Sequence, residues 1–183
     1  MEKNAMSTKQ QPVDLSVVIL NYNTRELTRV CLTTLLASDV GPYRMEVIVC
    51  DNGSTDGSVA MLRKEFPGVI RIENNKNVGF AAGNNPGIRR AKGRFVLLLN
   101  TDTETPPDTI RTMIAFMDDH PQAGASTCKV LLSDGSMDPA CHRGFPTPWN
   151  ACSYLLGLER LFPGSRIFGG YHQGWKNFKV PHE

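Results

Sequence analysis

The sequence predicts an α/β protein built on a mostly parallel, Rossmann-like sheet with helices on both faces. Apolar, β-branched runs alternate regularly with segments of helical periodicity, and those runs are too continuously apolar to face water. Polar segments rich in Asn, Asp, Gly and Thr follow each of the four runs, at the strand ends where parallel sheets bind ligands. A chain of 183 residues has room for one domain, or one domain and an appendage, at about 150 residues per domain.

After a polar arm, the run LSVVIL at 15–20 predicts the first strand, buried on both faces. Thr24 then suits the N-cap of a helix whose apolar face is Leu27, Val30, Cys31 and Leu35. MEVIVC at 45–50 is the second strand, ending in the turn DNGSTDGS, and Val59, Leu62 and Phe66 mark a second helix. Residues 69–73 predict a third strand, and 80–91 a small-residue helix interrupted by Pro86. RFVLLL at 94–99 is the fourth strand. Pro106 and Pro107 suit the first turn of a helix carrying Ile110, Met113, Ile114 and Met117, with Thr105 as its cap. A hairpin follows, with ASTCKVLL, the turn SDGS and a return strand over 137–141, and then a helix around 149–161. The remaining Gly/aromatic tail, with Trp149, Tyr154, Phe162, Phe168, Tyr171 and Trp175 in this region, reads as a core or subunit contact rather than a sugar platform.

Composition narrows the functions. Lys+Arg 20 against Asp+Glu 18 gives a net charge of +2 without a basic stripe, which argues against nucleic-acid binding. The five cysteines lack a C-x-x-C pair and sit mostly in apolar runs, as reduced thiols of a core would, so a cytoplasmic location is expected. There is no signal-peptide h-region, and no apolar run approaches the ~20 residues of a membrane span. The first strand is followed by NYNTRE rather than G-x-G-x-x-G, and neither G-x-x-x-x-G-K-[ST] nor G-x-S-x-G occurs. A dinucleotide oxidoreductase therefore ranks low, and a P-loop nucleotidase or α/β-hydrolase is excluded. The four histidines lack zinc-ligand spacing.

The strand exits are NYNT at 21–24, DNGSTDG at 51–57, NNKNVGFAAGNN at 74–85 and NTDTE at 100–104. Asp51 could accept from a base imide or a ribose hydroxyl; alternatively it is the first residue of a turn. Asp102 supplies the hard oxygen that Mg2+ or Mn2+ takes when it also binds substrate phosphates. In NVGFAAGNN, small residues at a helix start could meet a phosphate or sugar, and close helix-to-sheet packing explains them equally well.

SVVILNYNTRELTRVCLTTLLAS, EVIVCDNGSTDGSVAML, NVGFAAGNNPGIRRAKGRFVLLLNTDTE and LLSDGS together resemble the nucleotide-sugar half of family 2 glycosyltransferases, nearest their bacterial rhamnosyltransferase-like branch, over about residues 15–141. The resemblance implies a GT-A fold and inverting transfer of a sugar from a nucleoside-diphosphate donor, dTDP- or UDP-linked by preference, to a glycan or lipid-linked acceptor in cell-envelope polysaccharide synthesis. By position, Leu20, Asn21, Tyr22 and Asn23 would line the base and ribose, Asp51 would read the base with Asn52 beside it, and Asn77, Gly79 and Asn84 would lie near the donor ribose or sugar. Asn100 and Thr101 would contact the donor. Asp102 would hold the metal, Mg2+ or Mn2+, with Glu104 the weaker second candidate because the motif reads NTD. The implied domains are an arm at 1–12, a nucleotide-sugar-binding domain at 13–141 and the start of an acceptor region at 142–183. No acid after Glu104 matches the family's general-base motif, and a chain ending at VPHE is expected to be truncated before the acceptor half. A non-catalytic nucleotide-sugar-binding module is the competing class. Peripheral association with the inner membrane face and self-association are both compatible with the resemblance.

Overall fold

The computed structural model describes residues 12–138, 141 and 143–177. Its contacts group into two compact units, Met1–Gly124 and Ala125–Glu183, so the division falls after Gly124 and places the predicted hairpin with the second unit.

The first unit carries strands β1 (Leu15–Asn21), β2 (Met45–Asp51), β3 (Ile70–Glu73) and β4 (Phe95–Leu99) in the order β3-β2-β1-β4, every pair parallel. β1 lies inside the sheet, and four of its apolar side chains, Leu15, Val17, Val18 and Ile19, are at most 5 % exposed, as is Ile48 on β2 beside it. Helices α1 (Arg25–Leu36), α2 (Ser58–Glu65) and α4 (Thr109–Asp119) pack on the face bearing Val17, Ile19, Val47 and Val49, through Leu32, Leu35, Leu62, Ile110 and Ile114. α3 (Phe80–Arg90) covers the other face, where Val18, Ile48 and Cys50 cluster.

Several expectations shift. The buried stripe of α1 is Thr28, Cys31, Leu32 and Leu35, while Leu27 and Val30 are exposed. The helix is rotated because Thr28, polar by sequence, has a buried hydrogen-bond partner in Asn21. α3 runs unbroken through Pro86. Its glycines explain why: a Cβ on Gly87 would stand 2.6 Å from Val18 Cγ1 and 2.8 Å from Cys50 Sγ, and one on Gly83 2.7 Å from Leu20 Cδ1. Close contact with β1 and β2 outweighs the one backbone donor that proline removes. β4 is not buried on both faces. Val96 and Leu98 are exposed, because α3 packs chiefly on β1 and β2 and leaves their side of β4 uncovered. Pro106 and Pro107 precede α4 rather than open it, and Asp108, not Thr105, occupies the N-cap.

In the second unit the hairpin is reduced to one antiparallel bridge, Leu131↔Met137, closed by a turn with Gly135 at φ +80°. Asp134 Oδ1 accepts from the Ser136 amide and hydroxyl, and residues 139 and 140 of the predicted return strand lie outside the described residues. The predicted helix at 149–161 is two helices, α5 (Pro148–Leu155) and α6 (Leu158–Leu161), separated by Gly157 in the left-handed region. The Thr147 hydroxyl caps α5 by accepting from Asn150 N at 3.1 Å. The aromatics pack on one another, with Tyr154 on Tyr171 at 4.7 Å and Phe162 on Phe168 at 5.1 Å, while Trp149, Tyr154 and Phe162 stay about half exposed. All five cysteines are free, but only Cys31 and Cys50 are buried; Cys128 and Cys152 are exposed, since the second unit has little core to hold them. Among the described residues no helix is long and apolar enough to cross a membrane.

Gly87→Ala should destabilise the protein by about 1–3 kcal/mol through overpacking, although alanine is the better helix former. Gly68→Ala, where a Cβ meets nothing within 4 Å, is the control. Urea midpoints for the two variants check this.

Candidate functional site

β1, β2, β3 and β4 run in one direction, so the segments that follow them rise from one edge of the sheet. Two asparagines weld these segments together. Asn21 ends β1 fully buried. Its Nδ2 donates to Asp51 Oδ1 at 2.6 Å and to Ser54 Oγ at 2.9 Å. Its Oδ1 accepts from the Thr24 hydroxyl at 2.8 Å and the Thr28 hydroxyl at 2.7 Å. A side-chain amide offers two donors and two lone pairs, so Asn21 is saturated. Asn52, 2 % exposed, is saturated too. Its Nδ2 donates to Asn77 Oδ1 and the Gly79 carbonyl, and its Oδ1 accepts from Asn74 Nδ2 and the Val78 amide. The backbone continues the ladder, with Asn52 N donating to Asn21 O and Asn74 N to Asp51 O, both at 2.8 Å.

Asp51 itself is 4 % exposed, and its second oxygen accepts the Gly53 and Ser54 amides at 3.1 and 2.9 Å. The turn-forming alternative is therefore realised in its contacts. Gly53 is fixed by this turn: it lies at φ +81°, and a Cβ there would meet the Lys76 backbone at 2.8 Å. Asn84 is also turned inward, 3 % exposed, its Nδ2 on the Phe80 carbonyl. Of the residues expected to face a ligand, Asn21, Asp51, Asn52 and Asn84 are thus committed internally. Tyr22, Asn23, Asn77, Gly79, Asn100 and Asp102 are exposed, while Leu20 and Thr101 are half-buried. Asn23 holds its place at φ +53° with its Oδ1 accepting the Thr55 amide at 2.8 Å.

The sequence reading overlooked Ser54, Thr28, Asn74 and Asp56. Asp56 bridges two helix starts: Oδ2 accepts Arg25 N at 2.8 Å, and Oδ1 accepts the Ser58 amide and hydroxyl at 3.0 and 2.5 Å. It replaces the cap expected of Thr24, whose side chain makes no capping bond to α1. Partial burial pushes the Asp56 carboxyl up, but the Ser58 and Arg25 donors outweigh it and hold the pKa below its ordinary 3.8. The spacing of Asp56 two residues before Ser58 is a signal for a cap of α2; its reach to α1 is not encoded locally.

The loop after β4 carries Asp102 and Glu104, both exposed. Beneath it lies Cys31, whose thiol donates to the Asn100 carbonyl at 3.5 Å. Burial, and then the negative charge of Asp102, push that thiol up to about 11. Among the described residues no three His, Cys, Asp or Glu side chains converge as a metal cage. An exposed single carboxylate fits a Mg2+ or Mn2+ ion that draws its other ligands from substrate phosphates and water.

A parallel sheet presenting loops at its carboxyl edge is the architecture of nucleotide-binding α/β domains. The chain belongs to glycosyl transferase family 2, whose family model matches residues 16–170. ExoO, a succinoglycan biosynthesis protein of Rhizobium meliloti, is 30 % identical over 160 residues, which is 87 % of this chain and 44 % of ExoO. The undecaprenyl-phosphate 4-deoxy-4-formamido-L-arabinose transferase of Edwardsiella ictaluri is 31 % identical over 109 residues, 57 % of this chain and 34 % of that protein. The mannosyltransferase PcManGT of Pyrobaculum calidifontis, solved with GDP-Man and Mn2+, superposes with a TM-score of 0.60 at 26 % identity, covering 67 % of this chain and 37 % of its own. The architecture is accordingly the GT-A type expected from the resemblance, and the chain spans less than half the length of these relatives.

Asp56→Asn should destabilise the protein at neutral pH by about 1 kcal/mol, the ordinary worth of a cap. Because folding depresses the Asp56 pKa, its stabilisation is present above the unfolded value of 3.8 and is lost as pH falls through the folded value. The difference between variant and wild type in urea midpoint should therefore shrink below that pH.

Proposed function

We propose that the strand-exit edge of the first unit binds a nucleoside-diphosphate sugar and that the chain is the donor-binding part of an inverting glycosyltransferase. The observation carrying this reading is the locked edge itself: two saturated asparagines fix the loops after β1, β2 and β3, Thr24 ties in the loop after β4, and Tyr22, Asn23, Asn77, Asn100 and Asp102 are left exposed on it. Rigid loops lower the ordering cost of binding. Tyr22 offers a ring against which a base can lie, and the amides of Asn77 and Asn100 can meet hydroxyls of the ribose or sugar. Asp51 acts in this reading by shaping the turn over 51–54. The nucleotide-sugar-binding domain at 13–141 would then extend beyond the first unit into the hairpin.

Asp102, with Glu104 as the weaker second candidate, would hold Mg2+ or Mn2+. When bound, that ion would neutralise charge accumulating on the leaving diphosphate, which favours the transition state over the ground state. The mannosyltransferase neighbour contains Mn2+ and GDP-Man, which supports a metal and a nucleoside-diphosphate donor as a class. Relatives named for polyprenyl-phosphate and poly(ribitol-phosphate) acceptors support a lipid-linked or polymeric acceptor. The resemblance to rhamnosyltransferase-like sequences favours dTDP or UDP as the carrier, and a lipid-linked acceptor would place the protein at the inner face of the membrane.

At about 4 Å and an effective dielectric of about 20, one pair of unit charges is worth roughly 4 kcal/mol. Asp102→Ala should therefore weaken Mn2+-dependent affinity for UDP or dTDP by on the order of a hundredfold or more. Titration calorimetry with and without Mn2+ measures it, and unchanged affinity would sink the assignment. Release of nucleoside diphosphate from a sugar donor would support the enzyme, whereas binding without release or transfer would support a non-catalytic module.

A further inference from the structure

Building on the donor-site reading, we propose that Asn21 and Thr24 are positioning residues that tie the nucleoside side of the site to the loop bearing Asp102, so that both halves of the donor edge are held as one preorganised unit. Thr24 Oγ1 lies 2.8 Å from Asn21 Oδ1 and 3.2 Å from Thr101 Oγ1. A hydroxyl has one proton and two lone pairs. Thr24 is the donor in both contacts, so its one proton is shared between Asn21 Oδ1, at the shorter distance, and Thr101 Oγ1. Thr101 immediately precedes Asp102.

A continuous chain of hydrogen bonds therefore runs across the sheet edge. It starts at the Gly53 and Ser54 amides, passes through the Asp51 carboxylate and the Asn21 amide, and reaches Thr101 through the Thr24 hydroxyl. Thr28, one turn further along α1, holds the second lone pair of Asn21 and fixes the amide orientation. The Asp51 turn and the Asn21–Thr24 bond are local, whereas the Asn21–Asp51 and Thr24–Thr101 bonds join different strand exits. Thr24 makes no bond that caps α1, a task that falls to Asp56. Its hydroxyl is directed instead at Asn21 on its own strand exit and at Thr101 on the exit of β4. Asn21 cannot itself contact a ligand, being saturated and fully buried, so its contribution is to geometry.

The test compares UDP affinity with and without Mn2+ for the wild type, Thr24→Val and Thr24→Ser, with thermal melting as the check on folding. Valine keeps the branched shape and removes the hydroxyl. The expected result is that Thr24→Val loses at least fivefold of the Mn2+-dependent gain in affinity while its metal-free affinity stays within twofold of wild type. Thr24→Ser, which restores the hydroxyl, should recover the gain. Thr24→Ala removes the same hydroxyl with less bulk and serves if Thr24→Val does not fold. A Thr24→Val protein with the full wild-type gain, or with metal-free and metal-dependent affinity weakened equally, overturns the inference while the donor-site reading stands. A wild type without Mn2+-dependent UDP affinity, and equally without affinity for dTDP or GDP, overturns both.

Discussion

Asn21 stands at the end of the central strand with no surface exposed, so each of its four hydrogen-bonding positions must find a partner inside the protein. An unpaired buried polar group costs about 1–3 kcal/mol, and the partners found here lie on the turn after β2 and on the start of α1. Asn52 imposes the same demand one strand over and draws in the loop after β3. The loops after β1, β2 and β3 are thus shaped by the need to satisfy two buried amides. A ligand meets a surface already ordered.

The sheet and helices below supply what that ordering requires. β1 is flanked by β2 and β4 in parallel register, which brings Asn21 level with Asp51 and sets the 2.6 Å contact between them. Glycines at 83 and 87 let α3 approach β1 and β2, and the same approach places Gly79 and Asn77 within reach of Asn52. Asp56 holds the first turns of α1 and α2 together from outside. Exposed groups such as Tyr22 and Asp102 stand on a rigid base, the condition under which a few polar contacts give specificity.

Family membership and the GT-A architecture agree with this arrangement, and the relatives' names differ in the acceptor they state. Residues 125–183 form a separate unit, stabilised by stacked aromatics and by Glu159, which accepts from the Tyr171 and His172 amides and pairs with the His172 ring.

Local pattern alone determined the four strands, the helices between them and the polar exits, because burial in a two-sided parallel sheet demands continuous apolar runs and the turns that follow demand Asn, Asp and Gly. The motifs at 21–24, 51–57 and 100–104 likewise marked the edge that matters. What tertiary structure decided was the direction in which polar side chains point. Thr28 reads as a surface residue and Leu27 as a core one, and the reverse holds because Asn21, seven residues earlier, offers Thr28 a buried acceptor. Asp51 and Asn84 read as ligand contacts and are turned inward by the neighbouring backbone. A buried polar group is defined by partners from other strands and loops, and those meet only when the sheet has closed.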